Sequence, residues 1–187
     1  MEPDRKYLTR EEVERLLVCD IPKVDKLLIQ LGLTLGCRVS EIVSIRVRRI
    51  RGRTIKIHDE KKDEDRVCVI DSGTEEILNN YLETEYKVPK GYRRDLQLLF
   101  YFSAKTANRK IKKAFEKAAI SPPDVVPWRW HTLRHTYVRH TLDRLKDRGI
   151  QFVCEQTGDS PQTILGYYGI PSLDERIRVA EEYPLTR

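Results

Sequence analysis

With 187 residues the chain can bury one sizeable core, so a single domain is expected. A composition of 40% hydrophobic and 34% charged residues belongs to a folding chain with a heavily charged surface, without repeats or low-complexity tracts. The net charge of +6 points to an anionic partner, although 29 acidic residues accompany the 35 basic ones. No apolar run reaches membrane-span length and no signal-peptide core opens the chain, so a soluble, cytoplasmic protein is expected.

Thr9-Arg10-Glu11-Glu12 has the form of a capping box and predicts a helix through about Cys19. Pro22 opens a second helix, with Val24, Leu27, Leu28 and Leu31 on one apolar stripe and Gly32 and Gly36 loosening its end. A third, short helix is expected from Ser40 to about Val47. The period then changes. Arg51-Gly52-Arg53 reads as a turn, Thr54 to His58 as a strand, Asp59 to Asp65 as a charged turn and Arg66 to Ile70 as a returning strand, together a hairpin with a charged tip. Helix returns from Thr74 to about Tyr86. Val88 to Asp95 is a loop and Leu96 to Phe102 an apolar link. A basic helix is expected from Thr106 to Ala119. On it, Arg109, Lys110 and Lys113 are candidates to track a phosphate backbone, the alternative being a merely solvated face. Further helices are expected from Trp130 to Lys146, Gln151 to Gln156, Ser160 or Pro161 to Tyr168, and Ser172 to Tyr183.

Cys19, Cys37, Cys68 and Cys154 form no CxxC or Cys/His pattern and read as reduced core thiols. His131 and His135 have the i,i+4 spacing of a metal face, but no HExxH glutamate stands between them, so neither a metal nor a cofactor is expected. His131 and Arg134 are more telling. On a helix, three residues apart, their heads share one face. An arginine fork beside an imidazole that can exchange protons suits a phosphate whose ester bond is to be broken. Cleaving a DNA phosphodiester without metal requires arginines to neutralise the non-bridging oxygens, a hydroxyl nucleophile, a base for its proton and an acid for the leaving oxygen.

Gly32 to Glu41, ending Gly36-Cys37-Arg38-Val39-Ser40-Glu41, resembles the G-x-R-x-S-E box of the tyrosine recombinases, the integrase-like site-specific recombinase family. His131-x-x-Arg134 resembles its second box, with His135 and Thr136 following. Thr157-Gly158-Asp159 stands where many members carry Leu-Gly-His, and Tyr168 lies nine residues past Asp159. The resemblance covers Leu8 to about Tyr168. It implies an α+β domain, mainly helical with a small antiparallel sheet, that breaks and rejoins DNA without metal through a 3′-phosphotyrosine. It further implies catalytic roles for Arg38, His131 and Arg134, for Lys61 in the hairpin (with Lys62 its close rival), for Asp159 at the third-box position and for Tyr168. Aligning Thr163-Ile164 with the family's threonine pair selects Tyr167 instead. Asp159 departs from the family pattern. A carboxylate beside a phosphate is repulsive unless it is protonated or turned toward a cation, and Asp159 could otherwise cap the helix that follows.

Simpler readings stand beside these. Arg38 and Glu41 alone would be a surface ion pair, Lys61 a residue of a solvated turn, His135 a structural histidine, and the paired tyrosines packing residues. The resemblance implies double-stranded DNA as partner and a catalytic domain over 1–187, with a lead at 1–8, a helix and tail at 172–187 that could dock on a neighbouring copy, and no core-binding domain ahead of it. Two alternatives share the fold: a DNA-binding module with weakened catalysis, and relaxation of supercoils in the manner of a type IB topoisomerase.

Overall fold

Helix α2 (Lys23–Leu35) forms the axis of the molecule. Leu27, Leu28, Ile29, Leu31 and Leu35 cover most of its circumference and are all buried, as a helix that is apolar nearly all round must be. Around it pack α1 (Arg10–Val18), α4 (Ser72–Thr84), α5 (Ala104–Lys117) and α6 (Trp130–Leu145). The computed structural model describes residues 6–88, 90–121, 128–168 and 181, excepting the side chains at 147, 167 and 168. Among these residues the fold is the expected α+β type, mainly helical with one small antiparallel sheet.

The expected capping box opens α1. Thr9 Oγ1 accepts the Glu12 N–H at 3.2 Å, and Glu12 Oε2 accepts the Thr9 N–H at 2.7 Å. The preceding lead docks on α6, where the Leu8 N–H donates to Thr136 Oγ1 at 2.8 Å. Helices α4 and α5 begin two residues earlier than expected because Asp71 and Ser103 cap them, accepting the N–H groups of Thr74 and Thr106.

Helix α3 (Val39–Val43) is shorter than expected. The chain leaves it to pair with the apolar link: the Leu99 N–H donates to Ile45 O at 2.7 Å and the Val47 N–H to Gln97 O at 3.0 Å. Tertiary pairing thus overrides the helical pattern after Val43.

The sheet has the order β1 (Ile50–Arg51), β2 (Thr54–Asp59), β3 (Glu64–Val69). Strand β1 was not anticipated, and the β2–β3 ladder runs further into the charged tip than expected, pairing His58 with Asp65 and Asp59 with Glu64. Asp65 explains the extension: Arg49, Lys56 and His58 lie 2.8, 2.9 and 3.0 Å from its carboxylate and hold it far below the usual carboxylate range. Along β2 the inward face reads Ile55, Ile57, Asp59, while Val67 and Val69 of β3 face solvent. Period-two alternation therefore delivers one carboxylate to the buried side.

Helices α7 (Gly149–Thr157) and α8 (Pro161–Tyr168) complete the described fold, with Val153 and Ile164 joining Tyr137 and Val138 in a second, smaller core. The helix expected from Ser172 to Tyr183 lies, apart from residue 181, outside the described residues. No described helix is long and apolar enough to cross a membrane. All four cysteines are free thiols, with Cys37 and Cys68 fully buried.

Candidate active site

The start of α6 is tied to the end of α2 through main-chain carbonyls. Trp130, fully buried, donates Nε1–H to Cys37 O at 2.7 Å, and its own main-chain N–H is held by Asn108 Oδ1 at 3.0 Å. One turn further on, Arg134 donates Nη1–H to Gly36 O at 2.6 Å. These bonds grip the two residues immediately before Arg38. Gly36 allows the turn because it caps α2 with φ of 58°, and any side chain there would run into the Tyr137 ring. Nearly a hundred positions of sequence separation are closed by this contact, and it brings the two arginines together.

They meet at Asp159. Arg38 Nη2 donates to Oδ1 at 3.1 Å and Arg134 Nη2 donates to Oδ2, so each carboxylate oxygen takes one guanidinium. Arg134 Nη2 also reaches Thr157 O at 3.3 Å. Asp159 is thus turned toward cations. It does not cap the following helix; Ser160 Oγ accepts the Thr163 N–H instead. Gly158 lets the chain turn here with φ of 74°, and a Cβ would lie 3.0 Å from Arg66 Nη1.

Three residues of this network were missed or undervalued in the sequence. Arg66 binds Glu41 with both forks, at 2.9 and 3.0 Å, and donates Nε–H to Gln156 O at 3.0 Å. Arg38 Nη1 shares Glu41 Oε1 at 3.4 Å and Asp59 Oδ2 at 3.3 Å. The simple Arg38–Glu41 surface pair is therefore replaced by a buried cluster in which Glu41 is 4% exposed and serves chiefly Arg66. Burial works against the Asp59 charge, but the Lys61 N–H and the Arg38 and Arg66 guanidiniums outweigh it and hold this carboxyl below its usual range. The available signal was the alternation of the hairpin: Arg66 pairs with Ile57, and Asp59 follows Ile57 on the inward face.

At the hairpin tip the two lysines separate. Lys62 Nζ donates to Gly158 O at 2.7 Å, whereas Lys61 is fixed through its main-chain N–H, on Asp59 Oδ1 at 3.0 Å. Among the described residues the exposed Lys61 ammonium has no hydrogen bond or ion pair. His131 sits one turn before Arg134. Partial burial, then the Arg134 and Arg38 charges, lower its pKa, so the imidazole is neutral at pH 7. His135, its ring 6.4 Å from that of His131, is pushed down to about 4, mainly by burial. Tyr167 and Tyr168 close α8, but their side chains lie outside the described set. On α5, Arg109 and Lys113 are exposed, while Lys110 is committed to Asp25 at 2.6 Å.

A mainly helical domain with a hairpin and a two-arginine pocket at the junction of α2, α6 and α7 has the tyrosine recombinase catalytic-domain architecture. The family model described as the phage integrase family matches residues 6–154, and the chain belongs to that family. It is 30% identical over 145 residues to tyrosine recombinase XerA of Saccharolobus solfataricus, covering 72% of this chain and 45% of that protein, so it spans under half the length of that relative. The fold matches the crystal structure of XerA recombinase with TM-score 0.78 at 21% identity, over 97% of this chain and 64% of that one. It also matches XerH site-specific recombinase bound to its difH substrate in a pre-cleavage complex, with TM-score 0.71 at 21% identity, over 94% and 54% of the two chains.

Proposed function

We propose that this chain cleaves and rejoins double-stranded DNA at specific sites through a 3′-phosphotyrosine. The observation that carries the reading is the convergence of Arg38 and Arg134 on the two oxygens of a single anionic group. A diester phosphate offers the same pair of oxygens to the same two forks. Tyr168 Oη attacks phosphorus, the bond from phosphorus to the 5′ oxygen breaks, and the tyrosine proton passes to His131, whose lowered pKa keeps it available as a base. Lys61 protonates the leaving 5′ oxygen, while Lys62 latches the hairpin tip onto Gly158. Rejoining reverses these transfers. The covalent link conserves the bond energy, so no nucleotide is consumed. The DNA-bound state of the XerH neighbour supports DNA as partner. Arg109 and Lys113 then contribute backbone contacts, and the segment from Ser172 to Tyr183 docks on a neighbouring copy.

The test begins with duplexes selected by binding from a randomised pool. Nicked beside the cleavage position, they trap a covalent adduct, which mass spectrometry then maps. The expected adduct is on Tyr168. An adduct on Tyr167 would move the nucleophile by one residue; absence of an adduct at every salt concentration and pH would overturn the enzyme reading in favour of a binding module. Sedimentation with and without DNA checks the docking, which a constant monomer mass would refute.

A further inference from the structure

The pocket is electrically complete without DNA. Arg38, Arg66 and Arg134 face Glu41, Asp59 and Asp159, three guanidiniums against three carboxylates. The carboxylates are not equivalent. Glu41 and Asp59, each 4% exposed, lie against Arg66 as well as Arg38 and belong to the framework. Asp159 touches the two arginines assigned to the phosphate, one on each oxygen. A phosphodiester entering between these forks would meet a carboxylate already seated there, and two anions cannot share the forks without strong repulsion.

We infer that Asp159 is an internal surrogate for the scissile phosphate: it occupies the Arg38–Arg134 seat and must be displaced by DNA, and so it sets how readily the pocket accepts a substrate. This rests on the proposed reading of the arginine pair as the phosphate clamp. Asp159 is placed to yield. It stands on the short link between α7 and α8, its main-chain N–H held by Thr157 Oγ1 at a long 3.3 Å, and its side chain keeps 15% exposure. Rotation of that side chain releases both guanidiniums without disturbing Glu41 or Asp59. The Lys62 ammonium, on the adjacent Gly158 carbonyl, is a cation beside the freed carboxylate. While seated, Asp159 also preorganises the forks, preventing two neighbouring like charges from splaying apart.

The experiment compares wild type with Asp159→Asn, which removes the charge at nearly constant shape, and Asp159→Glu, which keeps it. DNA affinity is read by fluorescence anisotropy and cleavage by adduct yield on a nicked duplex at sub-saturating DNA. Asp159→Asn should bind about tenfold more tightly, the scale of one charge-assisted hydrogen bond, and yield more adduct. Asp159→Glu should stay near wild type. A folded Asp159→Asn that binds no tighter than wild type, while wild type forms adduct, overturns the inference and leaves the proposed function standing. Tighter binding by Asp159→Asn with no adduct from any variant supports the surrogate role and overturns the cleavage reading. Should Asp159→Asn fail to fold, wild type answers the same question with an uncharged methylphosphonate at the cleavage position. Binding at least as tight as to the native phosphate supports displacement of a resident anion, and a tenfold loss overturns it.

Discussion

The two arginines of the pocket are held in opposite ways. Arg134 is 6% exposed and donates to the main-chain carbonyls of Gly36 and Thr157 as well as to Asp159. Arg38 keeps 28% of its side chain exposed, and among the described residues its guanidinium bonds to carboxylates, those of Glu41, Asp59 and Asp159. One arginine ties α6 to the ends of α2 and α7. The other reaches out from the start of α3 to where a substrate would arrive. The same residue type is thus anchored to the fold on one side of the pocket and left open on the other, and under the proposed function the carboxylate partners of Arg38 are the ones a phosphate would replace, whereas the carbonyl partners of Arg134 are fixed by the fold.

The largest effect should come from the buried side. Arg134→Ala leaves two carbonyls and one of the two Asp159 oxygens without their donor, so it should abolish adduct formation and cost about 3 kcal/mol in urea unfolding. Loss of activity with unchanged stability would erase the contrast. On the open side, Arg38→Ala should lower the cleavage rate by about 10²–10³-fold while costing stability less than about 1 kcal/mol, since Arg66 still neutralises Glu41. Within the hairpin tip, Lys61→Ala should slow cleavage by about 10²-fold, the scale of a lost general acid, and Lys62→Ala by clearly less. The reverse order, read as single-turnover rates, would exchange their roles.

Acid should separate the two histidines in the same way. His135 has a folded pKa of about 4, below the unfolded value of about 6.5. Its contribution to stability is therefore complete above pH 6.5 and is lost as pH falls toward 4, because the unfolded chain binds the proton more readily. Urea midpoints between pH 7 and 4.5 should fall accordingly, and His135→Asn should flatten the slope. His131, also lowered, is the proposed base and should therefore act on the rate. Cleavage should stay level from pH 8 to 6.5 and decline only below that, and a decline beginning above pH 6.5 would remove His131 as the base.

Much of the fold was legible because its signals are local. The Thr9 box, Pro22 and the alternation around Ile55 and Ile57 each depend on a few neighbouring residues, and the helices and strand they signal formed close to where they were expected. The misjudged boundaries share a cause. Helix α3 stops at Val43 because the link at Gln97–Leu99 claims its next carbonyl and N–H, and the hairpin tip is shorter than expected because Arg49 neutralises Asp65 from outside the turn. In the pocket, Arg38, Arg134 and Asp159 were singled out from their boxes, whereas Asp59 looked like a member of the charged turn and Arg66 like the opening residue of a strand.

The sequence by itself determined the helices and the hairpin, the family and the two arginine boxes, since spacing along the chain and capping chemistry are properties of short segments. Only the tertiary structure decided that the boxes share one pocket, that Glu41 belongs to Arg66, and that Asp159 sits between Arg38 and Arg134. Those pairings join residues 25 to 121 positions apart. Buried charges must find a partner wherever the packing of α2, α6 and α7 brings one within reach, and no local pattern records which partner that will be.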